Sequence, residues 1–224
     1  MELRGVHRVY GEGGAAVHAL RGVDLTVEQG EFVAFMGPSG SGKSTCLYVL
    51  GCLDPPSAGT YRFLGRAVDE LDGEQRALLR RHWLGFVFQS FNLLPRTSAR
   101  ENVELPLVYR GVPRAERRVR ALRALAEVGL SGVEDHAPNE LSGGEQQRVA
   151  VARAIVMEPA VVLADEPTGN LDSARSHEIV GLLAALNRER GITCVMVTHE
   201  PDMAAYAGRT VRFQDGLVIG EERR

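Results

Sequence analysis

The chain has 224 residues, 44% hydrophobic and 25% charged, which allows one well-cored domain with at most a modest insertion. Its net charge of −3 gives no electrostatic reason for a nucleic-acid partner. No apolar run approaches the roughly 18 residues that cross a bilayer, and Met1–Gly5 lacks the apolar core of a signal peptide. Cys46, Cys52 and Cys194 form neither a metal-ligand nor a disulfide pattern and read as core residues.

In chain order, Val23–Val27 alternates apolar and polar residues and predicts a half-buried strand. Glu31–Met36 is mostly apolar and runs into a glycine-rich loop, after which Thr45–Leu53 predicts a buried helix. The turn chemistry of Asp54–Gly59 predicts a loop, and Leu84–Phe88 another buried strand. From Ser98 to Met157 the pattern is helical. There Pro113 opens a segment with Val119, Leu122, Leu125 and Val128 spaced three apart and arginines on the other faces. Val161–Ala164 and Ile192–Val197 suit parallel strands covered on both faces, with a helix near Ser173–Arg190 between them. Thr210–Phe213 and Leu217–Ile219, around Gln214-Asp215-Gly216, predict a hairpin. The fold class is α/β with a helical insertion between two core strands.

Of the 26 basic residues, Lys43 alone is a lysine. That position calls for a compact ammonium on a flexible stem rather than a guanidinium fork. It lies in Gly37-Pro38-Ser39-Gly40-Ser41-Gly42-Lys43-Ser44, which fits G-x-x-x-x-G-K-[ST]. Such a loop wraps its backbone N–H groups around phosphates, and the following helix, from Ser44 and Thr45 onward, adds its positive end. Lys43 would reach the β- and γ-phosphates and Ser44 would hold Mg²⁺. The strand Val161–Ala164 ends in Asp165 and Glu166. Asp165 suits a carboxylate supporting Mg²⁺ opposite Ser44, and Glu166 suits a group that orients the attacking water. Alone, such a strand end reads equally as a cap on the next turn.

Leu141-Ser142-Gly143-Gly144-Glu145-Gln146-Gln147 resembles the signature of the ATP-binding-cassette ATPases. Physically it is a phosphate-binding helix start, and it equally meets the capping-box pattern of Ser142 with Glu145. The resemblance covers essentially the whole chain in the family's order. It implies a P-loop core with a mostly parallel sheet, an antiparallel β subdomain and an inserted helical subdomain at about 90–157, the core being 1–89 and 158–224. It further implies that Tyr10 stacks on adenine, Gln89 touches Mg²⁺, and Gly169-Asn170-Leu171-Asp172 crosses a dimer interface. His199 would contact the γ-phosphate, while His7, His18, His82, His136 and His177 match no motif.

Phe88-Gln89-Ser90-Phe91-Asn92-Leu93-Leu94-Pro95, Glu101–Leu107, Gly51–Asp54 and Ala164–Asp172 resemble the MacB/LolD/FtsE-like group. That resemblance implies an ATP- and Mg²⁺-dependent homodimer, head to tail, with each ATP between the phosphate loop of one chain and the signature of the other. It implies a peripheral position on the cytoplasmic face of the inner membrane. The load would be a MacB- or FtsX-like permease, expected on a separate chain because this one stops at Arg224, with a cell-division scaffold as the alternative role. Phe91, Leu93 and Leu94 beside Pro95 either pack the insertion onto the core or line a groove for a short permease helix.

Overall fold

The computed structural model describes residues 1–224, the surroundings of Gly14 excepted. The chain opens with two antiparallel strands, β1 (Glu2–Tyr10) and β2 (Val17–Thr26), and then β3 (Phe32–Met36) and α1 (Lys43–Leu50). Strands β4 (Ala58–Phe63) and β5 (Arg66–Ala67) join the first two in a sheet ordered β2-β1-β4-β5. α2 (Gly73–Trp83) leads into β6 (Leu84–Phe88). Three helices follow before the core resumes: α3 (Ala99–Tyr109), α4 (Arg114–Glu127) and α5 (Gly143–Ile155). The rest is β7 (Val161–Asp165), α6 (Ser173–Arg190), β8 (Thr193–Val197), the short α7 (Pro201–Ala204), β9 (Arg209–Gln214) and β10 (Leu217–Arg223). The second sheet runs β10-β9-β3-β8-β7-β6, parallel except for the β9–β10 hairpin.

Period-two alternation sends the central strands' side chains to two separate cores. Ala34, Val162, Ala164, Cys194 and Met196 face one, shared with α5 and α6. Val33, Phe35, Leu163, Val195 and Val197 face the other, shared with α1 and the antiparallel sheet. Those runs are therefore apolar throughout, as doubly covered strands must be.

Three sequence expectations need correction. The helix after the glycine loop ends at Leu50, not Leu53: Gly51 caps it, Cys52 turns to φ 53, and Leu53 is exposed. Ala58 and Gly59 lie in β4, paired with β1, rather than in a loop. In α4 a spacing of three drifts by a sixth of a turn at each step, so Val119 lies at 67% exposure. The buried stripe is Ala121, Ala124, Leu125 and Val128, at intervals of three, four and seven.

Candidate nucleotide site

Register brings the ends of four parallel strands to one rim. Phe35 pairs with Val197, Val197 with Asp165, and Asp165 with Phe88. The next residues along each strand are the Gly37 loop after Met36, Thr198-His199, Glu166 and Gln89. In open parallel sheets, this carboxyl edge is where ligands bind.

The loop Gly37–Gly42 turns sharply from β3 into α1. Gly37 and Gly42 have φ of 151° and 100°. A Cβ on Gly37 would lie 2.1 Å from the Phe213 carbonyl oxygen, and one on Gly42 2.6 Å from that of Ala19. Only glycine fits either place. Lys43 is buried, and its Nζ donates to the carbonyls of Gly37 and Pro38, both at 2.8 Å. Burial lowers its pKa, while the charges of Glu166 and Asp165 oppose that shift. The ammonium therefore lies in the field of both acids predicted to share its site.

Ser44 Oγ donates to Asp165 Oδ1 at 2.8 Å. One turn along α1, the Tyr48 hydroxyl donates to Asp165 Oδ2 at 2.7 Å. Burial, and then its bond to Asp165, push the Tyr48 phenol far up, so it stays a donor at any working pH. Glu166 sits in the left-handed region at φ 43, a conformation that costs a non-glycine residue about 1 kcal/mol or more. Its amide donates to the Val197 carbonyl at 3.0 Å, and its Oε2 lies 3.5 Å from His199 Nδ1.

Tyr10 closes a cleft of about 600 Å³ whose walls include Gly40, Ser41, Gly42, Lys43, Ser44 and Thr45. Its hydroxyl bonds to Asp54, and the Arg8 guanidinium lies 4.5 Å from its ring centre. Burial, and then the bond to Asp54, push its phenol up as well. Ser39 is exposed on the loop beside the cleft. His18, Arg21 and Asp215 also line it, and sequence reasoning missed all three. No local pattern marks them, because only the packing of β2 and the β9–β10 turn against the loop brings them there.

None of Ser142, Gly143, Gly144, Glu145 or Asp172 lines that cleft. Ser142 caps α5, and its amide and hydroxyl donate to Glu145 Oε2 at 2.8 and 2.7 Å. Those bonds from Ser142 hold the Glu145 carboxyl below its usual range. The first-turn N–H groups of Gly143 and Gly144 have no partner within the helix. Asp172 caps α6 by accepting from the Arg175 amide at 2.9 Å. Exposed Gln89 lies against Gly169, where a Cβ would come within 2.5 Å of its Nε2, and Asn170 Nδ2 donates to the Gln89 carbonyl at 3.0 Å.

Comparison with known proteins decides the family. The family model described as ABC transporter matches residues 20–169. This chain belongs to the ABC transporter family. It is the family's ATPase cassette, and the fold is that of the solved cassettes. The Macrolide export ATP-binding/permease protein MacB of Marinobacter nauticus is 53% identical over 98% of this chain, and the match covers 34% of that protein. The chain thus spans about a third of the MacB relatives' length. The ABC transporter ATP-binding protein YknY of Bacillus subtilis is 49% identical, with 98% of this chain and 95% of that one covered. A solved dimer of the ATP-binding cassette MJ0796, in a post-hydrolysis state bound to ADP and Pi, superposes with a TM-score of 0.91. It is 45% identical, over 99% of this chain and 97% of the other. The relatives favour the MacB-type reading over the cell-division one. Among the described residues, no helix is long and apolar enough to cross a membrane.

A second cavity of about 550 Å³ opens between α2, β6, α3 and α5. Leu53, Phe86, Phe88, Leu105, Tyr109 and Met157 form its apolar walls, and Arg80, Arg81 and Arg153 add charge. Of the segment expected to line such a groove, only Asn92 does so. Phe91 turns toward Gly143, Leu93 packs on the helical core, and Leu94 is exposed elsewhere.

Proposed function

We propose that this cassette binds ATP in the Tyr10–Thr45 cleft and hydrolyses it only when a second copy supplies Ser142, the motion driving a MacB-type membrane permease. The observation that carries this reading is the split site. Lys43, Ser44, Asp165, Glu166, His199 and Gln89 gather at one rim, while the signature's free N–H groups sit on a helix start outside that cleft. A head-to-tail pair would bring the two halves together, and the similar MJ0796 cassette is a dimer.

In this reading Tyr10 supports the adenine, and the amides of Gly37–Thr45, Pro38 excepted, cradle the phosphates. Lys43 exchanges its loop carbonyls for phosphate oxygens. Glu166 orients the water that attacks, and His199 beside it holds the terminal phosphate in line. The partner's Ser142, Gly143, Gly144 and Glu145 cover the same phosphate, and Asp172 lies at the interface. Ser44 and Asp165 fit a small hard cation: a hydroxyl and a carboxylate already meet at 2.8 Å, with Gln89 one residue past the strand paired to Asp165. Mg²⁺ there would neutralise charge on the transferred phosphoryl oxygens. Residues 90–157 act as a helical subdomain that turns against the core, and a short apolar helix of the permease sits in the α2–β6–α3–α5 groove.

Glu166→Gln tests the chemistry and the assembly together. ATP binding should persist while turnover falls roughly a hundredfold or more, and sedimentation with ATP should show a trapped dimer. A variant that hydrolyses at nearly the normal rate removes Glu166 from this role. A strictly monomeric one counts against the shared site.

A further inference from the structure

Residues 88–92 form a short loop whose carbonyls are nearly all held by side chains from elsewhere. Gln147, buried on α5, donates Nε2 to the Phe88 carbonyl at 3.3 Å and to that of Pro167 at 2.6 Å. Asn170 takes the Gln89 carbonyl at 3.0 Å. Arg153, also on α5, takes the carbonyls of Phe91 and Asn92 at 2.8 and 2.5 Å, one with each terminal nitrogen. Phe91 and Asn92 sit at φ 59 and 51, two consecutive non-glycine residues in the left-handed region. Such a turn does not persist by itself and needs outside bonds to hold it.

Among the described residues Arg153 pairs with no carboxylate; its terminal nitrogens go to the two carbonyls, and burial lowers its pKa. A guanidinium suits this task because its rigid planar fork aims a separate terminal nitrogen at each of the two carbonyls. The same side chain lines the α2–β6–α3–α5 groove. Helix α5 begins at the Ser142 cap. One helix therefore carries the signature at its start and grips the loop on both sides of Gln89.

We propose that Arg153, with Gln147, is a positioning residue that locks the Gln89 loop to the signature helix, so that whatever occupies the groove acts on Gln89 through Arg153. This rests on the role assigned to Gln89 above. A displaced Arg153 frees two carbonyls, the turn at Phe91-Asn92 relaxes, and Gln89 leaves the rim where Asp165 and Glu166 stand. The helix and the loop otherwise move as one body.

The test uses the full chain with Arg153→Met, Arg153→Lys, Gln89→Ala and the double variant Arg153→Met/Gln89→Ala. The readouts are ATPase kcat, melting temperature and amide hydrogen exchange. Arg153→Met should lower kcat about tenfold and raise exchange in residues 88–95 about tenfold, with exchange elsewhere and melting temperature held. Arg153→Lys should recover part of the rate by holding one carbonyl. The double variant should be no slower than the slower single one, because both act at Gln89. Multiplying effects, exchange that rises evenly along the chain, or a full-rate Arg153→Met each overturn the proposal. If Gln89→Ala runs at the normal rate, the Gln89 assignment fails by itself, and a slow Arg153→Met then acts elsewhere and sinks this proposal too. A slow Gln89→Ala beside a fast Arg153→Met leaves that assignment standing and removes only the lock.

Discussion

Lys43 and Asp165 are the two charges around which the phosphate loop is organised, and each is held at several points. The ammonium is fixed between two carbonyls of its own loop, so the curve that will surround phosphate exists beforehand. Asp165 is held at both oxygens by α1, through Ser44 and Tyr48. Ser44 was legible in the sequence because the loop motif names it. Tyr48 was not, because a tyrosine in an apolar helical stretch reads as core, and only the packing of α1 on β7 reveals its partner. Tyr48→Phe removes one of two donors to a half-buried carboxylate and lets it swing. The Mg²⁺ concentration giving half-maximal ATPase should rise by roughly three- to tenfold, the net worth of one ordinary hydrogen bond. A Mg²⁺ titration unchanged from the parent chain would mean that Tyr48 only packs.

Elements were legible where a single physical signal decided them. The doubly apolar runs of β3, β7 and β8 follow directly from burial on two faces, and α6 spans Ser173–Arg190 as expected, with Asp172 revealed as its cap only by the structure. Their registers were not legible, although the site depends on them, since pairing between distant strands leaves no local trace. The stripe of α4 went astray for a geometric reason: residues three apart share a face only for two or three steps. The groove went astray in a similar way. Phe91, Leu93 and Leu94 signalled an apolar surface, but the left-handed turn at Phe91-Asn92 sends them apart, and the walls come from α2, β6 and α3. The partner-binding test therefore moves to the wall. Tyr109, 64% exposed, stands at the end of α3 and lines this groove, not the nucleotide cleft. Tyr109→Glu places a charge in the apolar groove, where it should weaken permease binding about tenfold or more while ATPase of the cassette alone stays within twofold. Leu94→Glu, outside the groove, should do neither. Lost basal activity in Tyr109→Glu would point to packing, and unchanged permease binding would rule out this groove.

On the scale of the whole molecule, the unresolved half of the site is a question of symmetry. Ser142 caps a helix outside its own chain's cleft, so in the proposed dimer a substitution there impairs hydrolysis by acting on another copy. Ser142→Arg should abolish ATPase while leaving equilibrium ATP binding near normal, since the Lys43 loop is untouched. Lys43→Ala should instead lose binding, because it removes the cation facing the phosphates. Mixed in equal amounts, each supplies what the other lacks. In a heterodimer, the intact loop of Ser142→Arg meets the intact signature of Lys43→Ala at one site, and both defects fall together at the other. With random pairing and independent sites, activity should return to about a quarter of the parent rate. If both sites must fire together, the rate stays low, but ATP-dependent dimerisation of the mixture still rises above that of either variant alone. Sedimentation in a Glu166→Gln background reads that dimer without turnover. Activity of Ser142→Arg alone at the parent rate would show that one chain completes its own site. A mixture that neither dimerises nor turns over would show that the two halves do not meet across a pair.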